Sequence, residues 1–110
     1  MLDGIVVVIG EKEYTIPVLN FKSIREMVKL TERMSAAQSI EERLGTMSDI
    51  VLNGLKRNYP ELTKEEIEEQ LDLDNFERIC GIVAEQAGLK KKVTESAGTT
   101  QTGIEPTGTL

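Results

Sequence analysis

"RNYPELTKEEIEEQLDLDN", residues 57–75, decides the fold, because a helix stop and a helix start follow each other closely in it. Pro60 favours extended backbone at the residue before it, so a preceding helix is expected to end near Asn58. Thr63 and Glu66 have the T-x-x-E spacing of a capping box, in which each side chain satisfies a backbone donor near the other. The stretch therefore predicts a structural connector between two helices.

A short third helix is predicted over about residues 64–71, directly after this capping box. Leu62 and Ile67 occupy the two positions of a hydrophobic staple, which fixes the angle at which the chain enters the helix. Ile67 and Leu71 are the large apolar side chains of this segment, so we expect both to face inward.

A fourth helix is predicted over about residues 75–87. Asp74 and Glu77 have the spacing of a second capping box, and Gly88 is placed as the glycine that commonly follows a helix end. The lysines at 90–92 lie beyond it, where positive charge favours the C-terminal end of a helix. The predicted apolar face consists of Phe76, Ile79, Cys80, Val83 and Ala87.

The chain before the connector predicts a hairpin and two more helices. β-branched residues and the turn residue Gly10 indicate a hairpin over about residues 5–17. Helices are predicted over about residues 21–35, capped by Asn20 or alternatively by Ser23, and over about residues 40–57. Their inward stripes are expected to be Ile24, Met27, Val28, Thr31 and Met34 on the first, and Leu44, Met47, Val51 and Leu55, flanked by Ile40, Ile50 and Leu52, on the second.

These segments define an α+β, mostly helical fold: an N-terminal β-hairpin, then about four helices and a disordered C-terminal tail. A chain of 110 residues can bury one modest core, and we expect residues 1–92 to form this single domain. Residues 93–110 are rich in Thr and Gly and poor in large apolar groups. Burial there cannot offset the entropy of ordering, so a flexible tail is predicted.

The overall composition excludes several classes of partner. The formal charge of −6 has the wrong sign for binding phosphate backbones, so nucleic acid is not expected as a partner. The N-terminal apolar run is too short for a signal peptide or a membrane span, so we expect no membrane association. A single cysteine, Cys80, cannot form an intramolecular disulfide, and a cytosolic location is the default.

The chain also lacks the residues of common catalytic and metal sites. It has no histidine, which removes Ser-His and Cys-His catalysis and histidine-based metal centres. Cys80 lies on a predicted apolar face, which favours a structural thiol over a nucleophile. The carboxylates of residues 61–74 lack the glycine and spacing of a calcium loop, so a solvated acidic surface is favoured. We therefore predict no enzyme activity and no cofactor.

The distribution of charge is uneven. Residues 61–77 contain eight acidic side chains and one lysine, whereas the rest of the chain is almost neutral. A solvated face is the favoured interpretation, and a patch that steers a basic partner is the functional alternative. Three methionines at helical spacing are favoured as core, although methionine also suits adaptable binding surfaces. The candidate partner-binding residues are Glu61, Glu65, Glu68, Glu69, Asp72, Met27, Met34 and Met47.

Two stretches of the sequence, together with the helices predicted between them, resemble a known family. "IGEKEYTIPVL", residues 9–19, is followed by two predicted helices and then by "RNYPELTKEEIEEQLDLDNFERICGIVAEQAGL", residues 57–89. This arrangement resembles the small tail assembly chaperones of long-tailed bacteriophages over about residues 5–89. The part that carries the resemblance is structural and contains no catalytic residue.

The resemblance implies a non-enzymatic, late protein of viral tail assembly in the host cell cytoplasm. Such chaperones bind the tape-measure protein, help to recruit tail tube subunits and are not retained in the mature virion. A homo-oligomer is compatible with this role. Two other classes stay open from the residues alone: a structural connector or adaptor of the virion, and a host-directed regulator that binds a cellular protein.

Many members of the family also have a longer form that arises by programmed ribosomal frameshifting. The resemblance implies that this chain is the short form. The lysine run at 90–92 can be encoded by an A-rich slippery sequence, so a frameshift there would exchange the tail and leave the domain intact.

Overall fold

The computed structural model describes residues 1–88. The N-terminal hairpin and the helices after it confirm the predicted α+β, mostly helical class. The predicted flexible tail at 93–110 and the lysines at 90–92 lie outside the described residues. The elements are β1 (Gly4–Ile9), β2 (Lys12–Pro17), α1 (Phe21–Ala36), α2 (Ile40–Leu55), α3 (Lys64–Glu68) and α4 (Leu73–Gln86).

The hairpin buries one face and exposes the other. β1 and β2 pair antiparallel, with Ile9 opposite Lys12 and a turn in which Gly10 has a φ of 65°. A left-handed φ favours glycine, which has no Cβ to clash with the backbone. The buried side chains Val7, Ile9, Tyr14 and Ile16 alternate along the strands, and Pro17 at the end of β2 is buried as well.

The connector after α2 closes the outer edge of β2. The Tyr59 hydroxyl accepts a hydrogen bond from the backbone N–H of Thr15 at 2.8 Å. The Asn58 side-chain amide donates to the Thr15 carbonyl at 3.0 Å. An isolated two-stranded hairpin is marginally stable, so these bonds tie it to the helical part of the domain. They also satisfy edge groups that would otherwise be open to pairing with another strand.

α2 ends two residues before the predicted bound at Arg57. The backbone N–H groups of Asn58 and Tyr59 both donate to the Leu55 carbonyl, at 3.1 and 2.9 Å, and the chain turns there before Pro60. Leu55 has no exposed surface, so the last turn of the helix is held in the core.

The predicted capping box of α3 is confirmed. Thr63 Oγ1 accepts from the Glu66 N–H at 3.2 Å, and Glu66 Oε1 accepts from the Thr63 N–H at 2.9 Å. Ile67 is fully buried, and Leu62 packs partly buried against the same core. α3 ends earlier than predicted, at Glu68, and Leu71 is only partly buried.

The predicted start of α4 is wrong by two residues. Asp72 is the N-cap in place of Asp74, and α4 begins at Leu73. The Asp72 side chain accepts from the Asn75 N–H at 2.8 Å, and the Asn75 side-chain oxygen accepts from the Asp72 N–H at 2.9 Å. The Asn75 side chain also donates to the Gln70 carbonyl at 3.2 Å. This amide ties α4 to the turn that follows α3, which a glutamate at position 77 could not do, since an ionised carboxylate has no donor.

The predicted N-cap of α1 and the predicted glycine after α4 agree with the structure. Asn20 caps α1 by accepting from the Ser23 N–H at 2.9 Å. Gly88 follows α4 with a φ of 74°, and its N–H donates to the Glu85 carbonyl at 3.0 Å. Both are local devices that depend only on neighbouring residues.

α2 lies at the centre of the core, and α1 packs against it. Two parts of the predicted stripes are wrong: Val28 and Thr31 of α1 are exposed, as are Ile40 and Leu44 of α2. The buried stripe of α1 includes Leu30. Among the described helices and strands, α1 contacts α2 alone, so its buried side chains are those that face this neighbour. The helical part of the core contains Met27, Leu30, Met47, Ile50, Val51, Leu55, Ile67, Phe76, Ile79, Val83 and Ala87.

The capping box makes a prediction about pH. Hydrogen bonds from the Thr63 backbone and side chain hold the pKa of Glu66 below its ordinary value. A lowered pKa in the folded state means that ionised Glu66 stabilises the fold above the unfolded pKa, near 4.3. That contribution is lost as the pH falls through the folded value.

We therefore expect Glu66→Gln to lower the melting temperature at neutral pH, with a difference that shrinks as the pH falls below about 4. Thr63→Ala should cost about 0.5–2 kcal/mol, since it removes the N-cap oxygen. Melting curves of both variants between neutral and acidic pH would check this. A difference for Glu66→Gln that is independent of pH would contradict the linkage.

Candidate functional site

An open groove lies between α2, α3 and the start of α4 and has a volume of about 720 Å³. It is lined by Glu41, Leu44, Gly45, Met47, Ser48, Lys64, Glu68, Leu71, Asp72, Leu73 and Phe76. These residues come from the first half of α2 and from the connector. A second depression, of about 380 Å³, lies on the other side of Gly45 and Lys64, towards α1.

Five of the eleven residues that line the groove have large apolar side chains. Met47 and Phe76 lie almost buried at its base, whereas Leu44 and Leu73 are 46% and 66% exposed. Leu71, two residues before Leu73, also lines the groove and is partly buried. Clustered exposed leucines around a groove are typical of sites where another molecule binds.

The capping of α4 explains why a large apolar residue is exposed here. Asp72 fixes the start of the helix, and Asn75 and Phe76 are the first residues of α4 that face inward. Leu73 lies at the first helical position, on the side away from the core, and lines the groove together with Leu44 of α2. The exposed leucine is thus a consequence of the same local geometry that begins the helix.

The rim of the groove is acidic. Glu41, Glu68 and Asp72 line it, and Lys64 is its single basic residue. The Lys64 ammonium lies 3.2 Å from Asp49, which also pairs with Arg33 of α1. The ion pairs found among residues 1–88 both involve Asp49, so within that part of the chain the carboxylates of the rim are not ion-paired.

The structure brings together only part of the predicted acidic patch. Glu68 and Asp72 line the groove, whereas Glu61, Glu65 and Glu69 are exposed without lining it. Asp72 also acts as the N-cap of α4, a role the sequence assigned to Asp74. Glu41 and Leu44 were not among the predicted site residues, because they lie on α2, distant in sequence, and only the packing of α2 against α3 brings them here.

The three predicted methionines are mainly core residues. Met27 and Met47 are 5% and 8% exposed, and Met34 is partly buried against the core. Met47 alone of the three lines the groove, as part of its floor. Met27 is therefore a core residue, as the favoured interpretation predicts.

Gly45 lies in the middle of α2 on the groove lining, without a packing contact that requires glycine. A Cβ built there would have the Lys64 ammonium as its nearest neighbour, at an ordinary 3.6 Å. At Gly54, near the C-terminal end of the same helix, a Cβ would lie 2.7 Å from Val83 Cγ2. Internal packing therefore accounts for Gly54 and leaves Gly45 unexplained.

Reactive groups are sparse within residues 1–88. This part of the chain contains no cluster of three or more side chains suited to hold a metal ion. Cys80 is partly buried on α4 against the core and does not line the groove. None of the helices described has the length and apolar character needed to cross a membrane.

Comparison of the chain with protein-family models, with curated proteins and with solved structures gave no match. The class that the fold and the groove define is a small α+β domain with an apolar, acid-rimmed surface groove.

Proposed function

We propose that this protein is a non-enzymatic tail assembly chaperone of a long-tailed bacteriophage, which binds the tape-measure protein and helps to recruit tail tube subunits. It acts in the host cell cytoplasm and leaves before the virion is complete. The sequence of the connector supports the family, and the groove beside that connector supports a role in binding protein.

The observation that carries the proposal is the composition of the groove. Leu44, Leu71 and Leu73 present apolar surface to solvent on a domain whose core is already formed by other residues. A tape-measure protein is long, helical and apolar before the tube encloses it, so it requires a coat that is later removed. Many copies along one filament gain avidity from modest individual contacts, and each contact can be released.

The direct test is co-expression with the tape-measure and tail tube proteins encoded beside this gene. We expect the tagged chain to purify with the tape-measure protein and to be depleted from finished particles. Leu44→Ser combined with Leu73→Ser should reduce the recovered complex at least about tenfold, since apolar anchors carry most of the binding energy at interfaces.

Val28→Ser is the matched control for these variants. Val28 is 43% exposed on α1 and does not line the groove, so its loss should leave the complex unchanged. Retention of the protein in purified virions would instead support a structural connector. Equal loss of binding in the control and in the groove variants would remove the groove from the proposal.

A further inference from the structure

We infer that the groove receives one amphipathic helix with basic residues beside its apolar stripe, and that the backbone of this helix crosses α2 at Gly45. The inference rests on the proposed protein-binding role and specifies the chemistry of the bound segment. It also assigns Gly45 as the residue that sets how closely the bound helix can approach.

The walls of the groove favour a helix over an extended segment. The lining comes from α2, α3, α4 and the turn before α4, and no strand of the hairpin contributes to it. An extended peptide there would bring unpaired backbone N–H and C=O groups against Met47 and Phe76, and burying such groups is costly. A helix satisfies its own backbone and presents only side chains, which is the helix-in-groove mode of recognition.

The charge of the rim selects the flanks of that helix. Glu41, Glu68 and Asp72 surround the apolar floor, and the charge of Lys64 is directed to Asp49. Lysine or arginine beside the apolar stripe of the bound helix would face these carboxylates, whereas glutamate there would be repelled. Such complementarity fixes orientation and excludes wrong partners.

Gly45 explains how a bound helix could reach the floor. A glycine inside a helix costs about 0.5–1 kcal/mol relative to alanine. Apart from the neighbouring backbone of α2, the atom of residues 1–88 nearest to the position of its absent Cβ is the Lys64 ammonium, at an ordinary contact distance of 3.6 Å, so packing between elements does not require this glycine. A small residue at a helix crossing allows two backbones to approach closely, and Gly45 lies on the lining where the crossing would occur.

The test uses the full chain, labelled with ¹⁵N, and two synthetic helical peptides as probes. Both peptides have the same leucine stripe, flanked by lysine in one and by glutamate in the other. We expect the lysine peptide to shift amide resonances around residues 41–48 and 68–76, and to bind about tenfold more tightly than the glutamate peptide. Added salt should reduce that difference.

Gly45→Leu should abolish the shifts while the protein stays folded, since leucine is a good helix former and the site is open. Gly45→Ala should weaken binding to a smaller extent while the melting temperature is kept or raised. Ser35→Leu, at an exposed position of α1, is the matched control and should bind as the unchanged chain does.

Any of the following peptide results would overturn the inference: no shifts at millimolar peptide, shifts centred on the hairpin or α1, equal binding of both peptides, or full binding by Gly45→Leu. Self-association of the chain without peptide that Gly45→Leu abolishes would assign the groove to a second copy, and would also overturn it. A tape-measure complex that Gly45→Leu leaves intact rejects this inference and keeps the proposed function. Peptide binding without any tape-measure complex rejects the function and keeps the groove.

Discussion

Ile67→Ala is expected to lower the free energy of unfolding by about 2–5 kcal/mol, the range for truncating a large aliphatic side chain in a core. Ile67 is fully buried and is the one buried residue of α3, a helix of five residues. Helices this short are not stable alone, so α3 depends on this side chain for its attachment. Its loss would also loosen Glu68, which lines the groove from the same helix.

The measurement is equilibrium unfolding in urea or guanidinium, and Ile40→Ala is the matched control. Ile40 is 69% exposed at the start of α2, so the same atoms are deleted where no cavity results. We expect that variant to lie within about 0.5 kcal/mol of the unchanged protein. Similar losses in both variants would mean that α3 is not fixed by Ile67.

Local devices could be predicted from the sequence because they involve neighbouring residues. The bonds between Thr63 and Glu66, the Asn20 cap and the left-handed Gly88 all depend on spacings of a few residues. Asp72 and Asp74 show where such reasoning ends. Each aspartate is followed three residues later by a side chain that could complete a capping box, Asn75 after Asp72 and Glu77 after Asp74. The choice of N-cap depends on the hydrogen bond from the Asn75 side chain to the Gln70 carbonyl, which requires the end of α3 to lie close by.

The groove could be predicted only in part. The acidic composition of the connector identified Glu68 and Asp72, but the same count included Glu61 and Glu65, which do not line it. The number of charges in a segment does not show which side of a helix each charge faces, and α3, with five residues, is too short for a periodic pattern to show it. The α2 wall could not be predicted, because Leu44 follows the apolar period of its helix and was therefore expected in the core.

Gly54→Ala is expected to destabilise the protein by about 1–3 kcal/mol, although alanine is the better helix former. The added Cβ would lie 2.7 Å from Val83 Cγ2, a distance that such atoms essentially never show. Val83 is 1% exposed, and its β-branched side chain has few rotamers available in a helix. α2 and α4 must therefore separate, or Val83 must leave its position in the core.

Gly45→Ala is the matched control within the same helix, since the nearest side-chain atom to its Cβ in residues 1–88 would be the Lys64 ammonium, at an ordinary 3.6 Å. We expect it to stabilise the fold by about 0.5–1 kcal/mol, so the two substitutions should differ in sign. Destabilisation by Gly45→Ala would mean that glycine is needed there for folding, which would also remove the reason for placing a bound helix over it.

A double-mutant cycle with Val83→Ala isolates the contact. Val83→Ala alone leaves a cavity, and Gly54→Ala alone creates a clash, whereas the double variant places the new methyl group in the space that Val83 vacates. Each change relieves the defect of the other. The loss of unfolding free energy in the double variant should therefore be smaller than the sum of the two single losses, by about 0.5–3 kcal/mol. Unfolding measurements that give strictly additive losses would show that the approach of α2 to α4 is not limited at this pair, and that the close crossing at Gly54 has another cause.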